Sequence, residues 1–263
     1  MQISILLFLT SNLLLSNDCY SEIHCKHFFF GMPIGVPNYN DLIIRDSYAL
    51  SSNDSTKFAD WVAYVIDSAS INGISIERKW KADTWLDDKE TLEPSDYKEA
   101  NKSYHYDRGH QAPLANFKGN RDIETSNYLS NITPQKADLN QGTWKELEEI
   151  ERRLIGKFKI IYVMTGPLYE MEYPPLPNAD ERHKVPSGYW KIIAIPLSPN
   201  KFQSFGFIMN QNTSRKSELS KHLCTIREIE KRSKLDFFSD LPRNEQDIFE
   251  NKIDSAWYEQ NFK

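Results

Sequence analysis

Three apolar runs of strand length lie in the second half of this chain, and they constrain its fold more than any other feature. They read KIIYVMTGPLY, YWKIIAIPL and KFQSFGFIMN. Two earlier segments, LIIRDSYALSSN and KFADWVAYVID, are also predicted to be strands, joined by a polar turn from Ser51 to Thr56. The chain is therefore predicted to contain a substantial sheet.

Helical spacing of apolar residues occurs between and after these runs. A helix is predicted from about Gln141, with the apolar stripe Trp144, Leu147, Ile150, Leu154 and Ile155. Two more helices are predicted over SELSKHLCTIREIEKRS and LPRNEQDIFENKI. Because strands and helices do not alternate regularly, we expect an α+β fold, with a central, mostly antiparallel sheet flanked by helices.

The length and composition favour one folded domain after an export signal. Of the 263 residues, 40% are apolar, and no segment is suited to a domain boundary, so residues 22–263 are predicted to form a single domain. The run ISILLFLTSNLLL near the start is shorter than the roughly 20 residues of a membrane span. Residues 1–21 are thus interpreted as a signal peptide cleaved near Ser21, with a buried N-terminal helix as the alternative. The mature protein is expected to be secreted or periplasmic, without stable membrane association.

The net charge limits how the protein can contact nucleic acid. The formal charge is −5, and removing residues 1–21 removes one acid, Asp18, and no base. An acidic total argues against a protein that coats nucleic acid through bulk charge. It leaves room for a local basic groove.

Cysteine usage leaves two states open. Cys19 would leave with the signal peptide, so Cys25 and Cys224 would remain, one near each end of the mature chain. Export would permit a disulfide between them, and two free buried thiols are the alternative. Three scattered cysteines do not indicate a zinc site.

The stretch YHYDRGHQAPLANF, residues 104–117, concentrates polar chemistry where neither a helical nor a strand pattern is clean. It places Asp107, Arg108, Gly109 and His110 side by side. A histidine that is neutral near pH 7 can take a proton from water. The alternative is a buried structural histidine beside a salt bridge.

Three asparagines follow within NYLSNITPQKADLNQGTW, and an acid lies on the helix after them. Asn127, Asn131 and Asn140 supply neutral oxygens, which suit Mg²⁺ because this ion takes few protein ligands. Their alternative role is to cap turns and the next helix. Glu148 could hold metal-bound water, or it could be a solvated residue of the charge run KELEEIERR.

Basic residues recur near both segments. They are Arg78, Lys79, Lys81, Arg108, Arg152 and Arg153. Arginine forks match phosphate oxygens and stabilise the charge of a phosphoryl transition state. Each of these residues taken singly is more commonly a surface residue than a ligand.

Taken together, YDRGHQAPLANF and NYLSNITPQKADLNQGTWKELEE resemble the DNA/RNA non-specific endonuclease family. The similarity extends over most of the mature chain. It implies a ββα-metal active-site motif and hydrolysis of DNA and RNA to 5′-phosphorylated products. The implied cofactor is Mg²⁺, which other divalent cations such as Mn²⁺ could replace, and a homodimer is compatible with the resemblance.

The resemblance also implies roles for individual residues. His110 takes the general-base position, and Asn140 takes the place of the one direct protein ligand to Mg²⁺. Glu148 matches the acid that holds metal-bound water. Arg78 matches the arginine that contacts the scissile phosphate, and Arg108 is the arginine of the motif itself.

Three further residues match supporting positions of the family. Asn131 and Arg152 match positions around the metal and substrate, and Asn127 matches a more peripheral one.

Two other functions remain as alternatives. One alternative is a phosphodiesterase whose specificity is restricted to another phosphodiester substrate. The other is a nucleic-acid-binding module without catalysis, which would need neither His110 nor Asn140.

Overall fold

The computed structural model describes residues 23–198 and 201–263. The predicted signal peptide, residues 1–21, lies outside the described residues. The strands are β1 (Asp41–Ile44), β2 (Ala49–Asn53), β3 (Phe58–Asp67), β4 (Tyr106–His110), β5 (Ile132–Lys136), β6 (Ile160–Leu168), β7 (Gly188–Ser198), β8 (Lys201–Asn210) and β9 (Leu223–Cys224). Seven of them form one sheet in the order β1-β2-β3-β6-β7-β8-β9, and every neighbouring pair is antiparallel.

Side chains of this sheet alternate between two apolar layers. On β7, Tyr189 and Ile193 belong to one buried cluster, whereas Trp190 and Ile192 belong to the other. This alternation follows from the two-residue period of a strand. The apolar runs of the sequence are uninterrupted because both faces of these strands are covered.

Helices and the N-terminal arm cover the two faces. The helices are α1 (Ser68–Ile71), α2 (Ala100–Tyr104), α3 (Ala137–Asn140), α4 (Thr143–Phe158), α5 (Ile226–Ser233), α6 (Arg243–Glu250) and α7 (Ser255–Phe262). The first apolar cluster contains the stripe of α4 together with Tyr258 and Phe262 of α7. The second contains Ile226 and Ile229 of α5. Among the described residues, no helix is long and apolar enough to cross a membrane.

The DRGH segment is a strand, and it pairs outside the main sheet. β4 pairs antiparallel with β5, so that Asp107 lies opposite Gln135 and His110 opposite Ile132. The chain then passes through α3 into α4. This order brings Asp107 of β4 into hydrogen-bond contact with Asn140 at the end of α3.

The predicted α+β fold and its central antiparallel sheet are confirmed, and most predicted elements are present. The prediction of one helix over 217–233 was wrong: the chain forms a 3₁₀ turn at Leu219–His222, then β9, then α5. Leu223 and Cys224 pair with β8 at the sheet edge. LIIRDSYALSSN likewise forms two strands, β1 and β2, rather than one.

The two described cysteines are free thiols. Cys25 and Cys224 are both half-buried against the second apolar cluster. Burial raises the pKa of the Cys224 thiol to about 12. Of the two states left open by the sequence, the structure has the reduced one.

Candidate active site

His110 ends β4, and its side chain is held by a hydrogen bond to Asn127. Its Nε2 lies 3.2 Å from Oδ1 of Asn127, and because an amide oxygen only accepts, Nε2 is the protonated nitrogen. The Trp80 ring lies 5.3 Å from the imidazole. The lone pair of His110 Nδ1 is therefore the one able to accept a proton.

The surroundings of His110 keep the imidazole neutral. Burial lowers its pKa to about 4, the hydrogen bond to Asn127 opposes this, and the positive charge of Arg78 lowers it further. A histidine with this pKa is a free base throughout the neutral range. The structure thus provides a proton acceptor near Arg78.

Gly109 permits the close packing of β4 on β5. A Cβ at this position would lie 2.7 Å from Cβ of Gln135 and 2.6 Å from its Oε1. The Gln135 side chain is buried and has little room to move. The motif therefore needs glycine beside His110 for steric reasons.

We expect Gly109→Ala to lower the free energy of unfolding by about 1–3 kcal/mol, because the new methyl group overpacks the strand pair. Urea unfolding measures this. Gly156→Ala is the matched control, since an added Cβ there meets nothing within 4 Å on the exposed side of α4. That control should stabilise the protein by about 0.5–1 kcal/mol. Equal effects at the two positions would contradict the steric explanation.

Asp107 orients the amide of Asn140. Its carboxylate accepts from Asn140 Nδ2 at 3.0 Å, from Gln141 Nε2 at 2.7 Å and from Asn101 Nδ2 at 2.8 Å. With the nitrogen of Asn140 fixed on Asp107, its Oδ1 is turned away from the carboxylate. The sequence motif showed Asp107 but did not predict this orienting role.

An open cleft of about 390 Å³ is lined by four of the polar and charged residues identified from the sequence. Its lining residues are Arg78, Trp80, Tyr97, Asn101, Tyr106, Asp107, Arg108, Asn140 and Gln141. Its donor set fits a hard divalent cation that keeps most of its waters, since Oδ1 of Asn140 is a neutral oxygen ligand with space around it. In the described part of the chain, the groups of three carboxylates close enough to hold an ion contain none of these residues. An ion at Asn140 would therefore take few ligands from the protein.

Arg108 stands over two aromatic rings at the wall of this cleft. Its guanidinium carbon lies 5.6 Å from the Trp80 ring and 5.1 Å from the Tyr97 ring, and its Nη2 donates to the Pro94 carbonyl at 2.9 Å. Burial lowers its pKa, but an arginine remains charged. The Nε of Arg108 is buried without a hydrogen-bond partner, so the side chain retains donor capacity.

Glu148 lies half-buried on the inner face of α4. Burial raises its pKa to about 7, and the charge of Lys191 is the largest opposing influence. Arg78 and Arg152 also favour its charged form. Arg78 thus lies near enough to both His110 and Glu148 to act on each of them electrostatically.

The variant Glu148→Gln tests whether the pKa of Glu148 is raised, because glutamine cannot ionise. Because burial raises the pKa of Glu148 from 4.5 to about 7, its contribution to stability is present below about pH 4.5 and is lost as pH rises through about 7. In EDTA, we expect the variant to be more stable than wild type by about 1 kcal/mol at pH 8, after allowance for solvent screening. The difference should vanish near pH 4.5, as urea unfolding at both pH values would measure. A difference independent of pH would contradict the assignment, and the exposed neighbour Glu149→Gln is the control.

A buried ion pair that the sequence interpretation missed supports α4 behind the cleft. Glu151 accepts from Lys191 Nζ at 2.5 Å, from the Tyr64 hydroxyl at 2.9 Å and from Asn116 Nδ2 at 2.7 Å. Both charged residues of the pair are fully buried. The signals were an acid within the apolar stripe of α4 and a lysine within the apolar run YWKIIAI.

Arg152 and Asn131 have different local roles. Arg152 Nη1 donates to Oδ1 of Asn116 at 2.9 Å, so a neutral amide holds the guanidinium. Asn131 is fully buried and bonds the backbone of Ala112 through both side-chain atoms and the Ser126 carbonyl through Nδ2. Asn131 therefore fixes the chain after His110 and does not enter the cleft.

The other basic residues named from the sequence lie outside this arrangement. Lys79 is exposed and pairs with Glu77. The backbone of Lys81 bonds that of Asn127 and Leu129. Arg153 donates to the Phe262 carbonyl and so holds α7.

The antiparallel pair of β4 and β5, followed by the helices α3 and α4, has the order of two strands and a helix that defines the ββα class of nuclease fold. The DNA/RNA non-specific endonuclease family model matches residues 29–244, and the chain belongs to this family. It is 44% identical over 224 residues to a nuclease of Serratia marcescens, covering 84% of each chain. It is 26% identical to the mitochondrial endonuclease G of Homo sapiens, over 79% of this chain and 72% of that one.

The fold is also similar to a chain in the crystal structure of the EndoG/EndoGI complex. The TM-score is 0.69 and the sequence identity 23%, and the match covers 81% of this chain and 90% of that one. At this identity the likeness shows the fold alone. It agrees with the antiparallel sheet and flanking helices described above.

Proposed function

We propose that this chain is a Mg²⁺-dependent endonuclease that hydrolyses DNA and RNA to 5′-phosphorylated products, with His110 as general base. The observation that supports this most directly is that one strand, β4, carries both the neutral His110 and the Asp107 carboxylate that orients the amide of Asn140. Family membership supports the substrate class. Export through the leader at residues 1–21 is part of the proposal.

His110 would begin the reaction by taking a proton from water at Nδ1. The water oxygen forms a bond to phosphorus while the bond from phosphorus to the 3′ oxygen breaks. The 3′ oxygen leaves and takes up a proton from solvent, which yields a 3′ hydroxyl and a 5′ phosphate. The hydrogen bond to Asn127 holds the ring in the required tautomer throughout.

Arg78 and Arg108 would hold the non-bridging oxygens of the reacting phosphate. Both line the cleft, and their forked donors suit phosphate geometry. Asn140 would hold the metal ion directly, and Glu148 of α4 would hold water bound to the ion. A bound Mg²⁺ would stabilise negative charge on the phosphate and on the leaving oxygen.

Contacts of this kind reach the sugar-phosphate backbone and not the base edges. Backbone contacts position a nucleic acid without reading its sequence. Cleavage of both DNA and RNA, without base preference, is the expected consequence.

Supercoiled plasmid and a long RNA, each incubated with the protein in Mg²⁺ or in EDTA, test the proposal. We expect nicking and fragmentation of both substrates in Mg²⁺ only, with 5′-phosphate ends detected by ligation to a 3′-hydroxyl acceptor. Cleavage of a small phosphodiester alone would favour a narrower phosphodiesterase. Binding of DNA without cleavage would favour a silent binding module.

A further inference from the structure

A second cavity lies beside the catalytic cleft and has a basic wall. Its volume is about 540 Å³, and Lys136, Asp138, Asn212 and Arg215 are among its lining residues. None of the site residues predicted from the sequence lines it. A cavity of this size is large enough to admit a phosphate group with part of its nucleotide.

The charges at this cavity favour an anion. Arg215 Nε lies 3.2 Å from Asp138 Oδ1, so these two charges offset each other. Lys136 Nζ donates instead to the neutral Oδ1 of Asn212 at 2.8 Å, and among the described residues it has no carboxylate within ion-pair distance. Lys136 therefore contributes a positive charge that no acid of the described chain neutralises.

Lys136 is fixed by the backbone around it. It is the last residue of β5, paired opposite Tyr106, and its N–H donates to Gln211 Oε1 at 2.8 Å. The amide nitrogen of Gln211 in turn bonds the carbonyls of Pro134 and Pro186. The base of the Lys136 side chain is thus held in place before any ligand arrives, which reduces the entropy lost on binding.

One side chain connects this cavity to the catalytic cleft. Gln141 donates through Nε2 to Asp107, which orients Asn140, and accepts through Oε1 from Arg215 Nη2 at 3.1 Å. Gln141 and Asp107 line the cleft, whereas Arg215 lines the cavity. The two openings are therefore neighbours on either side of Gln141.

We propose that this cavity binds a second backbone phosphate of the substrate strand, next to the phosphate in the catalytic cleft, with Lys136 as its principal cation. This inference rests on the proposed endonuclease function and adds a substrate preference to it. A strand that spans both openings gains an ion pair that a small diester cannot reach. The enzyme should therefore favour polynucleotides over substrates with a single phosphodiester.

Lys136→Ala tests this on two substrates. One is long DNA, and the other is a nucleoside nitrophenyl phosphodiester, which carries one phosphate only. We expect the ratio of kcat/KM on DNA to kcat/KM on the small diester to fall about tenfold, because one charged contact is lost. The slope of log kcat/KM for DNA against log salt concentration should become shallower by about 1.

Two further variants keep the test interpretable. Lys136→Arg retains the charge and should recover most of the ratio. Lys252→Ala removes an exposed lysine that lines neither opening and should match wild type in ratio and salt slope.

Equal losses on both substrates after Lys136→Ala, or an unchanged salt slope, would overturn the second phosphate site while endonuclease activity stands. Failure of the wild type to cleave either substrate would instead overturn the proposed function.

Discussion

Replacing His110 with alanine is expected to lower kcat on plasmid DNA by about 10²–10⁴-fold, because the water loses its proton acceptor. The remaining groups still bind the substrate, so KM should change far less than kcat. The His110 side chain is half-buried and its hydrogen bond is to the neutral amide of Asn127, so the variant is expected to fold. Circular dichroism and thermal unfolding would check this before the kinetics are compared.

The pH profile gives this prediction a second readout. Because burial lowers the pKa of His110 to about 4, the base stays neutral as pH falls from 8 to about 5. In a plot of kcat/KM against pH, the fall in activity caused by protonation of His110 should thus lie near pH 4. An imidazole with the ordinary pKa of 6.5 would give this fall near pH 6.5 instead. The fall near pH 4 should be absent from the residual activity of His110→Ala.

A control and a rescue complete the test of His110. His222→Ala removes a histidine whose Nε2 contacts Ser217, outside the cleft, and should leave kcat within about twofold of wild type. Imidazole added to His110→Ala should restore part of the rate, because it can take the vacated place and accept the proton. Substantial cleavage by His110→Ala without imidazole would refute the general-base role.

Replacing Asn140 with alanine is expected to have the second largest effect. It removes the side-chain oxygen of a cleft residue whose amide Asp107 orients, so we expect kcat to fall about a hundredfold or more at fixed Mg²⁺. The Mg²⁺ concentration that gives half-maximal rate should rise together with this loss. Titration of activity against Mg²⁺ measures both, and an unchanged titration would remove Asn140 from the metal site.

Two variants separate the ligand from its support. Asn101→Ala deletes another amide that donates to Asp107, and it should cost far less than Asn140→Ala. Asp107→Asn keeps the shape but replaces the carboxylate that accepts from three amides. We expect it to lower activity about 10–100-fold, in the range of groups that orient a metal ligand.

Local sequence patterns predicted most of the elements, and the exceptions have a common cause. The stripe of α4 and the long strands of the main sheet follow periods of 3.6 and 2, which depend only on nearby residues. The helix predicted over 217–233 failed because Leu223 and Cys224 pair with β8. That pairing is a long-range contact, and helical spacing of Leu219, Leu223 and Ile226 cannot reveal it.

The candidate site was predicted unevenly for a similar reason. His110, Asn140 and Glu148 stood out by residue type and by family resemblance within one stretch of the chain. Lys191 did not, because its role depends on Glu151, which is 40 residues earlier. Asp107 was visible as part of the motif, but its three amide partners come from α2, α3 and the residue after α3.

The amino-acid sequence by itself determined the fold class and the family, and it supplied the residues proposed for phosphodiester chemistry, because periodicity and motif are properties of neighbouring residues. Only the tertiary structure decided which nitrogen of His110 is free, how Asn140 is oriented and that Lys136 faces a cavity without a neutralising acid. These properties depend on burial and on hydrogen bonds between distant segments. Desolvation and charge pairing exist only after the chain has folded.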